Sequence, residues 1–256
     1  MGNVVVFANQ KGGVGKTTSV CNIGAYLARA GKKVLLVDFD PQGNLTSSVG
    51  HDAKQEGIYE VITGQKSLDE ATLETPVENL FLVSSNLHLS GATVELADVD
   101  GWETYLKKAL DPAKKIYDYI LIDCPPSLGV LTINGFVASD YVMIPLQCEF
   151  FALEGFFNML FQTVKRIQKG YNKSLKIGGI FFTMYDSRTR LANEVISQVK
   201  ATFKSHPEII FKTVIPRNIR LSEAPSHGVP VCEYDASCVG AKSYEKLAKE
   251  VLDRVN

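Results

Sequence analysis

Short, nearly unbroken apolar runs recur along the chain: Val4–Ala8, Val34–Val37, Leu80–Val83, Tyr119–Ile122, Tyr141–Pro145, Ile177–Thr183 and Thr213–Ile215. Between most of them the apolar positions change to a helical spacing, as in Thr18–Ala30 and Leu191–Phe203. A strand with one solvated face alternates apolar and polar residues, whereas one covered on both faces stays apolar throughout. Continuous apolar strands alternating with helices therefore predict a three-layer α/β architecture, a mostly parallel central sheet covered by helices on both faces. The last helix is expected over Ser243–Val255, with Tyr244, Leu247, Ala248, Val251, Leu252 and Val255 forming a stripe that packs into the core. The less regular stretch His51–Thr75 and the acidic stretch Ala92–Trp102 are expected at the surface or leading into helices.

With 256 residues, 45% hydrophobic and 21% charged, the chain is long enough for one large α/β domain spanning 1–256, and no linker or repeat suggests a boundary. The apolar runs are too short to span a bilayer and no signal-peptide pattern is present, so a cytoplasmic protein is expected. Cys21, Cys124, Cys148, Cys232 and Cys238 form no C-x-x-C pair and are odd in number, which suits reduced, mostly buried thiols. Four histidines without ligand spacing argue against a transition-metal site. The net charge of −1 hides an asymmetry: residues 1–159 carry −8 and residues 160–256 carry +7, and a basic final third hints at a polyanionic partner.

Gly12-Gly13-Val14-Gly15-Lys16-Thr17 follows the first strand and opens the first helix. Glycines let the backbone wrap an anion, and N–H groups at the helix start point at it. The pattern assigns Gly13, Val14, Gly15, Lys16, Thr17 and Thr18 to a nucleotide's phosphates, with Lys16 on the β- and γ-phosphates and Thr17 ligating Mg²⁺. Gln10 stands where the general pattern has its first glycine, and Lys11 follows it.

This K-G-G-x-G-K-[ST] form resembles the deviant Walker ATPases, the family of ParA, MinD and nitrogenase iron protein. The resemblance implies an ATP- and Mg²⁺-binding P-loop NTPase fold in which Lys11 reaches across a homodimer interface to the phosphates of the other subunit. "VLLVDFDPQGN" and "YDYILIDCPPSLG" extend it. By the resemblance Asp40 positions the attacking water beside the metal, and Asp123 holds Mg²⁺ through water. Each aspartate, taken alone, also suits a turn or a helix cap.

"FFTMYDSRTRLANEV" and "KTVIPRNIRLSEAPSHGVPVCEYD" are similar to stretches of the chromosomal ParA (Soj) proteins. This implies that Pro216 and Asn218 close over adenine and that Arg188 and Arg217 contact DNA. Lys200, Lys204, Arg220, Lys242 and Lys246 are further DNA candidates by charge alone. With the phosphate loop starting near residue 10, no room is left for the N-terminal DNA-reading domain of larger plasmid ParA proteins. No recognition helix or aromatic array is evident, so contacts to double-stranded DNA are expected to be with phosphates and indifferent to sequence. The expected function is a slow ATPase that dimerises on ATP, associates with the nucleoid and partitions chromosome or plasmid DNA with a ParB/Spo0J-type protein that stimulates hydrolysis. A regulatory switch acting on a replication initiator is the alternative. A MinD-like membrane role fits poorly, because Glu245, Glu250 and Asp253 offset the cations of the last helix and no Trp or Phe anchors it. A nitrogenase-like reductase fits poorly too, since Cys124 and Cys148 lack that family's cysteine contexts.

Overall fold

The computed structural model describes residues 1–95, 99–149 and 156–255. Among them eight strands form one sheet: β1 (Asn3–Phe7), β2 (Val34–Asp38), β3 (Thr72–Glu74), β4 (Leu80–Val83), β5 (Tyr119–Asp123), β6 (Tyr141–Gln147), β7 (Lys176–Tyr185) and β8 (Ile210–Pro216). They stand in the order β3-β4-β2-β5-β1-β6-β7-β8, all parallel except β3 against β4. The helices are α1 (Lys16–Arg29), α2 (Asn44–Ser48), α3 (Ile58–Ile62), α4 (Leu68–Ala71), α5 (Leu89–Glu95), α6 (Tyr105–Leu110), α7 (Val130–Ala138), α8 (Phe156–Gly170), α9 (Arg190–Thr202), α10 (Arg220–Glu223), α11 (Val231–Tyr234) and α12 (Val239–Arg254).

The two-residue period of β1 shows why its apolar run is continuous. Val4 and Val6 enter a core shared with Leu106 and Leu110 of α6, Leu131 and Phe136 of α7 and Leu160 of α8. Val5 and Phe7 enter the opposite core with Val20, Ile23 and Leu27 of α1 and Tyr244, Leu247 and Val251 of α12. Burying each such side chain contributes roughly 1.5–3 kcal/mol. Tyr244 is buried whole because its hydroxyl meets Ser19 Oγ at 3.0 Å.

Several boundaries differ from those the pattern predicts. The three-residue edge strand β3 was not expected, because Thr72-Leu73-Glu74 is too short and polar to show a period. Strand β8 extends well beyond Thr213–Ile215: as an edge strand it keeps polar residues, and the Lys212 and Thr213 amides donate to Glu250 of α12 at 2.9 and 2.8 Å. Helix α12 starts four residues before Ser243, because the Cys238 sulfur accepts the Ala241 N–H at 3.3 Å, a capping role usually taken by an oxygen. The stretch His51–Thr75 holds α3, α4 and all of β3. In Ala92–Trp102 the helix α5 runs on to Glu95, and residues 96–98 lie outside the described residues.

Candidate active site

Strand register gathers the chemistry at one edge of the sheet. Asp38 ends β2 and Asp123 ends β5, and the two are register partners; Phe7, the last residue of β1, pairs with Asp123 from the other side. The phosphate loop leaves β1 here, so it emerges above the two carboxylates. Open parallel sheets bind ligands at such strand ends, where neighbouring connections run to opposite faces.

The loop is held in shape by its surroundings. Gly13 (φ 71°) and Gly15 (φ 85°) adopt left-handed conformations that a side chain disfavours. Asn9, buried, accepts the Lys11 N–H at 2.9 Å and donates to the Pro145 carbonyl at 2.7 Å. Thr183 of β7 donates to the Val14 carbonyl at 2.8 Å. From the C-terminal side, Asn22 joins the Thr18 carbonyl (2.7 Å) to the Val231 N–H (2.7 Å), so the segment after β8 is tied to α1.

A cavity of about 580 Å³ opens over the loop, lined by residues that include Gly13, Gly15, Lys16, Thr17, Thr18 and Asp40. Thr17 Oγ1 donates to Asp123 Oδ2 at 2.6 Å. The other Asp123 oxygen, Oδ1, is buried without a hydrogen-bond partner. Burial drives the Asp123 carboxyl well above the usual range, and Asp38 adds to this; the Thr17 hydroxyl and the Lys16 ammonium oppose it. Burial likewise lowers Lys16, against the pull of Asp123. Asp123 and Asp40 thus share one lysine at the strand ends, and Asp38 adds its charge beside Asp123. An orphaned carboxylate oxygen beside a hydroxyl, in a site with surplus negative charge, fits a hard divalent cation such as Mg²⁺, which takes one or two protein ligands and completes its shell with phosphate and water.

Asp38 and Asp40 are distinct in role. Asp38 is fully buried and accepts from the Thr46 N–H (2.8 Å), the Thr46 hydroxyl (2.7 Å) and the Asp40 N–H (3.3 Å). Burial nevertheless pushes its carboxyl up to about 6, the Thr46 bonds holding it down from higher still. Asp40 lines the cavity while its Oδ1 accepts the Gln42 N–H at 3.0 Å, so it is a turn residue and a cavity residue at once.

A second cavity of about 350 Å³ adjoins the first at Gly15, Thr18 and Met184, and includes Pro216, Arg217 and Asn218 in its lining. The predicted phosphate and base residues therefore share one continuous cleft. Lys11 is turned elsewhere: its ammonium pairs with Glu149 and lies 3.4 Å from Gln147 Oε1, at the rim of the second cavity. Thr46, Met184, Gln147 and Glu149 were not anticipated from the sequence. Only Met184 left a trace there, as part of "FFTMYD"; its left-handed backbone (φ 50°) is visible only in the fold.

A family model described as an AAA domain matches residues 2–177. The chain is 59% identical over 254 residues to the chromosome-partitioning ATPase Soj of Treponema pallidum, covering 99% of this chain and 98% of that one. It belongs to the Soj/ParA family of chromosome-partitioning ATPases. The sporulation initiation inhibitor protein Soj of Bacillus subtilis is 49% identical, with 98% of each chain covered. Among solved structures, cobyrinic acid a,c-diamide synthase of Mycobacterium smegmatis with bound ATP analog and magnesium superposes with a TM-score of 0.86 at 38% identity, covering 98% of this chain and 94% of that one. The fold is that of the P-loop ATPases of the ParA/MinD group.

Within this Soj/ParA chain the cationic DNA candidates divide into two groups. Arg188 follows β7 and Arg217 follows β8, and the Arg217 N–H bonds the Tyr185 carbonyl at 3.0 Å. Both flank Asp186, whose carboxyl the Arg188 guanidinium pulls down to about 2, with Arg217 contributing. Arg220 is paired with Glu223 at 2.8 Å. Lys242 and Lys246 lie exposed in the first half of α12, whose Gly240 packs against Leu221 of α10. Lys200 and Lys204 sit at and just past the other end of α9, about 20 Å along a helix of its 13 residues, and do not join this group. The apolar stripe of α12 is consumed internally, with Tyr244, Leu247, Ala248 and Val251 buried and Leu252 half-buried. No helix among the described residues is long and apolar enough to cross a membrane. Cys21, Cys124, Cys148 and Cys232 are buried free thiols, and Cys238 is the half-buried cap.

Proposed function

We propose that this chain is one ATPase domain spanning 1–256 that forms a nucleotide-sandwich dimer on binding ATP, coats nucleoid DNA without sequence preference, and partitions chromosome or plasmid DNA with a ParB/Spo0J-type protein. The observation that carries the reading is the convergence of Lys16, Thr17 and Asp40 on one cavity, with Asp123 buried behind the Thr17 hydroxyl and one of its oxygens left unpartnered.

In this reading the loop amides from Gly13 to Thr18 cradle the phosphates and Lys16 holds the β- and γ-oxygens. Pro216 and Asn218 cover the base. Mg²⁺, held by the Thr17 hydroxyl and through water by Asp123, would neutralise charge developing on the phosphate oxygens. Asp40 orients the attacking water from the opposite wall. Lys11 leaves Glu149 and enters the site of the second copy, so that the triphosphate joins two chains.

Dimerisation then controls DNA binding. A single chain making roughly three phosphate contacts has a salt slope near about −2.7, and a pair making roughly six has one near about −5.4 and binds far more tightly. Retention on duplex DNA measured across salt concentrations, with ATP and with ADP, tests this together with sedimentation. ATP should double both the mass and the slope. A slope identical in the two nucleotides would remove the switch.

A further inference from the structure

Strand β7 carries one residue more than its neighbour at the mouth of the cleft. Phe182 pairs with Val214 of β8 and Tyr185 with Pro216, three steps along β7 against two along β8. Within those steps Met184 takes its left-handed conformation (φ 50°), which glycine usually supplies in a bulge. Among the described residues only Asn79 shares a positive φ without being glycine. Asparagine tolerates that region through its short polar side chain, and methionine has no such compensation. Nor does the Met184 side chain support the fold: it is 38% exposed and belongs to none of the apolar clusters of the described residues. A side chain kept at a backbone cost and unused in packing points to contact with a ligand.

The bulge is pinned from both sides. The Thr183 hydroxyl donates to the Val14 carbonyl of the phosphate loop at 2.8 Å, and the Tyr185 carbonyl accepts the Arg217 N–H at 3.0 Å. Met184 thus stands between the two walls of the cleft, and with Gly15 and Thr18 it lines both cavities. Gly15 has no side chain and Thr18 a short one, which leaves Met184 as the long apolar side chain at the junction.

We propose that Met184 is a sugar-positioning residue, whose thioether chain closes on the ribose where a nucleotide passes from the first cavity into the second. This assignment rests on the placement of phosphates and base proposed above: a nucleotide held at both ends must carry its sugar across the junction. An unbranched, polarizable side chain adapts to the face of a sugar. It has no N–H or O–H to donate, so it orders the sugar without reading its hydroxyls.

Calorimetry on the full chain with Mg²⁺ compares ADP, 2′-deoxy-ADP and inorganic pyrophosphate, the last without a sugar. Met184→Gly should weaken both nucleotides by about fivefold or more and pyrophosphate by less than about twofold, while Met184→Leu, which keeps an apolar chain, stays within about twofold of the parent for all three. Without ligand, Met184→Gly should melt no lower than the parent, because glycine takes the left-handed conformation freely. Equal ADP affinity in the parent and Met184→Gly overturns the proposal. So does an equal loss for pyrophosphate, which would assign the effect to the phosphate loop, or a lowered melting temperature, which would make Met184 a support of the fold. A loss confined to ADP and absent for 2′-deoxy-ADP overturns it as well, since a hydroxyl would then be read. A parent that binds pyrophosphate as tightly as ADP would refute the base placement itself and the inference with it, whereas the other outcomes strike Met184 alone.

Discussion

Replacing Thr46 by valine keeps the shape of a fully buried side chain and removes one hydroxyl. That hydroxyl makes two bonds, donating to Asp38 at 2.7 Å and accepting the Ser85 N–H at 3.0 Å. Losing a hydrogen bond to a charged group costs about 1.5–3 kcal/mol, and stranding a buried N–H costs about 1–3 kcal/mol more. The extra methyl returns up to about 1 kcal/mol, leaving a net loss of roughly 3 kcal/mol. For a chain of this size that lowers the melting temperature by about 6–12 °C.

The loss carries a pH signature. Asp38 titrates near 3.8 when unfolded and at about 6 when folded. Between these values the folded state holds the extra proton, so this carboxyl's contribution to stability falls as pH rises through the window, and its ionisation cost is fully present above about 6. Removing the hydroxyl that favours the carboxylate enlarges that cost. The deficit of Thr46→Val against the parent should therefore be largest near about pH 7.5 and shrink toward about pH 5, where Asp38 is protonated in both proteins. Urea unfolding of the nucleotide-free proteins at the two pH values measures it. A deficit below about 1 kcal/mol at the higher pH, or one that does not change with pH, would refute the reasoning.

Lys16→Ala should weaken ATP binding by about 10²-fold, read by calorimetry, because a buried ammonium bonded to phosphate is worth up to about 3 kcal/mol; normal affinity would detach Lys16 from the phosphates. Asp40→Ala should lower turnover by about 10²–10⁴-fold while leaving an ATP-bound dimer retained on DNA; turnover at the parent rate would remove Asp40 from its role. Arg217→Ala should flatten the salt slope of DNA binding by about 1.8 per dimer with dimerisation intact, and unchanged retention would move the DNA surface elsewhere.

What could be read from the sequence divides by the range of the interaction responsible. The phosphate loop was legible because its determinants are contiguous: Gly13 and Gly15 supply the left-handed turns, and Lys16 and Thr17 follow at once. The sheet was legible because burial on both faces writes itself into uninterrupted apolar runs. Thr46 was not, since its partners Asp38 and Ser85 are eight and 39 residues away and meet it only once β2 and β4 lie side by side. The start of α12 was hidden because cysteine is a rare cap. The DNA candidates came from two sources: Arg188 from the resemblance and Lys200 from charge alone, and the direction of α9 sets the two apart in the fold.

The two lysines of the loop also separate in the fold, and their surroundings say what each can do. Lys16 is 7% exposed, its charge depressed by burial and held among the strand-end carboxylates. It is committed to its own site, where the proposed reading gives it the terminal phosphate. Lys11 sits outside that cavity in an ion pair with Glu149, whose two side chains are 42% and 48% exposed. A pair so open to water is worth about 0–1 kcal/mol, so little holds Lys11 in place. An ammonium that its own chain neither buries nor needs is free to exchange Glu149 for a more highly charged anion. In the dimer proposed above the γ-phosphate of a second copy would be such an anion and a diphosphate would offer less charge, so the weakness of the Lys11–Glu149 pair would let a single phosphoryl group decide whether two chains stay together.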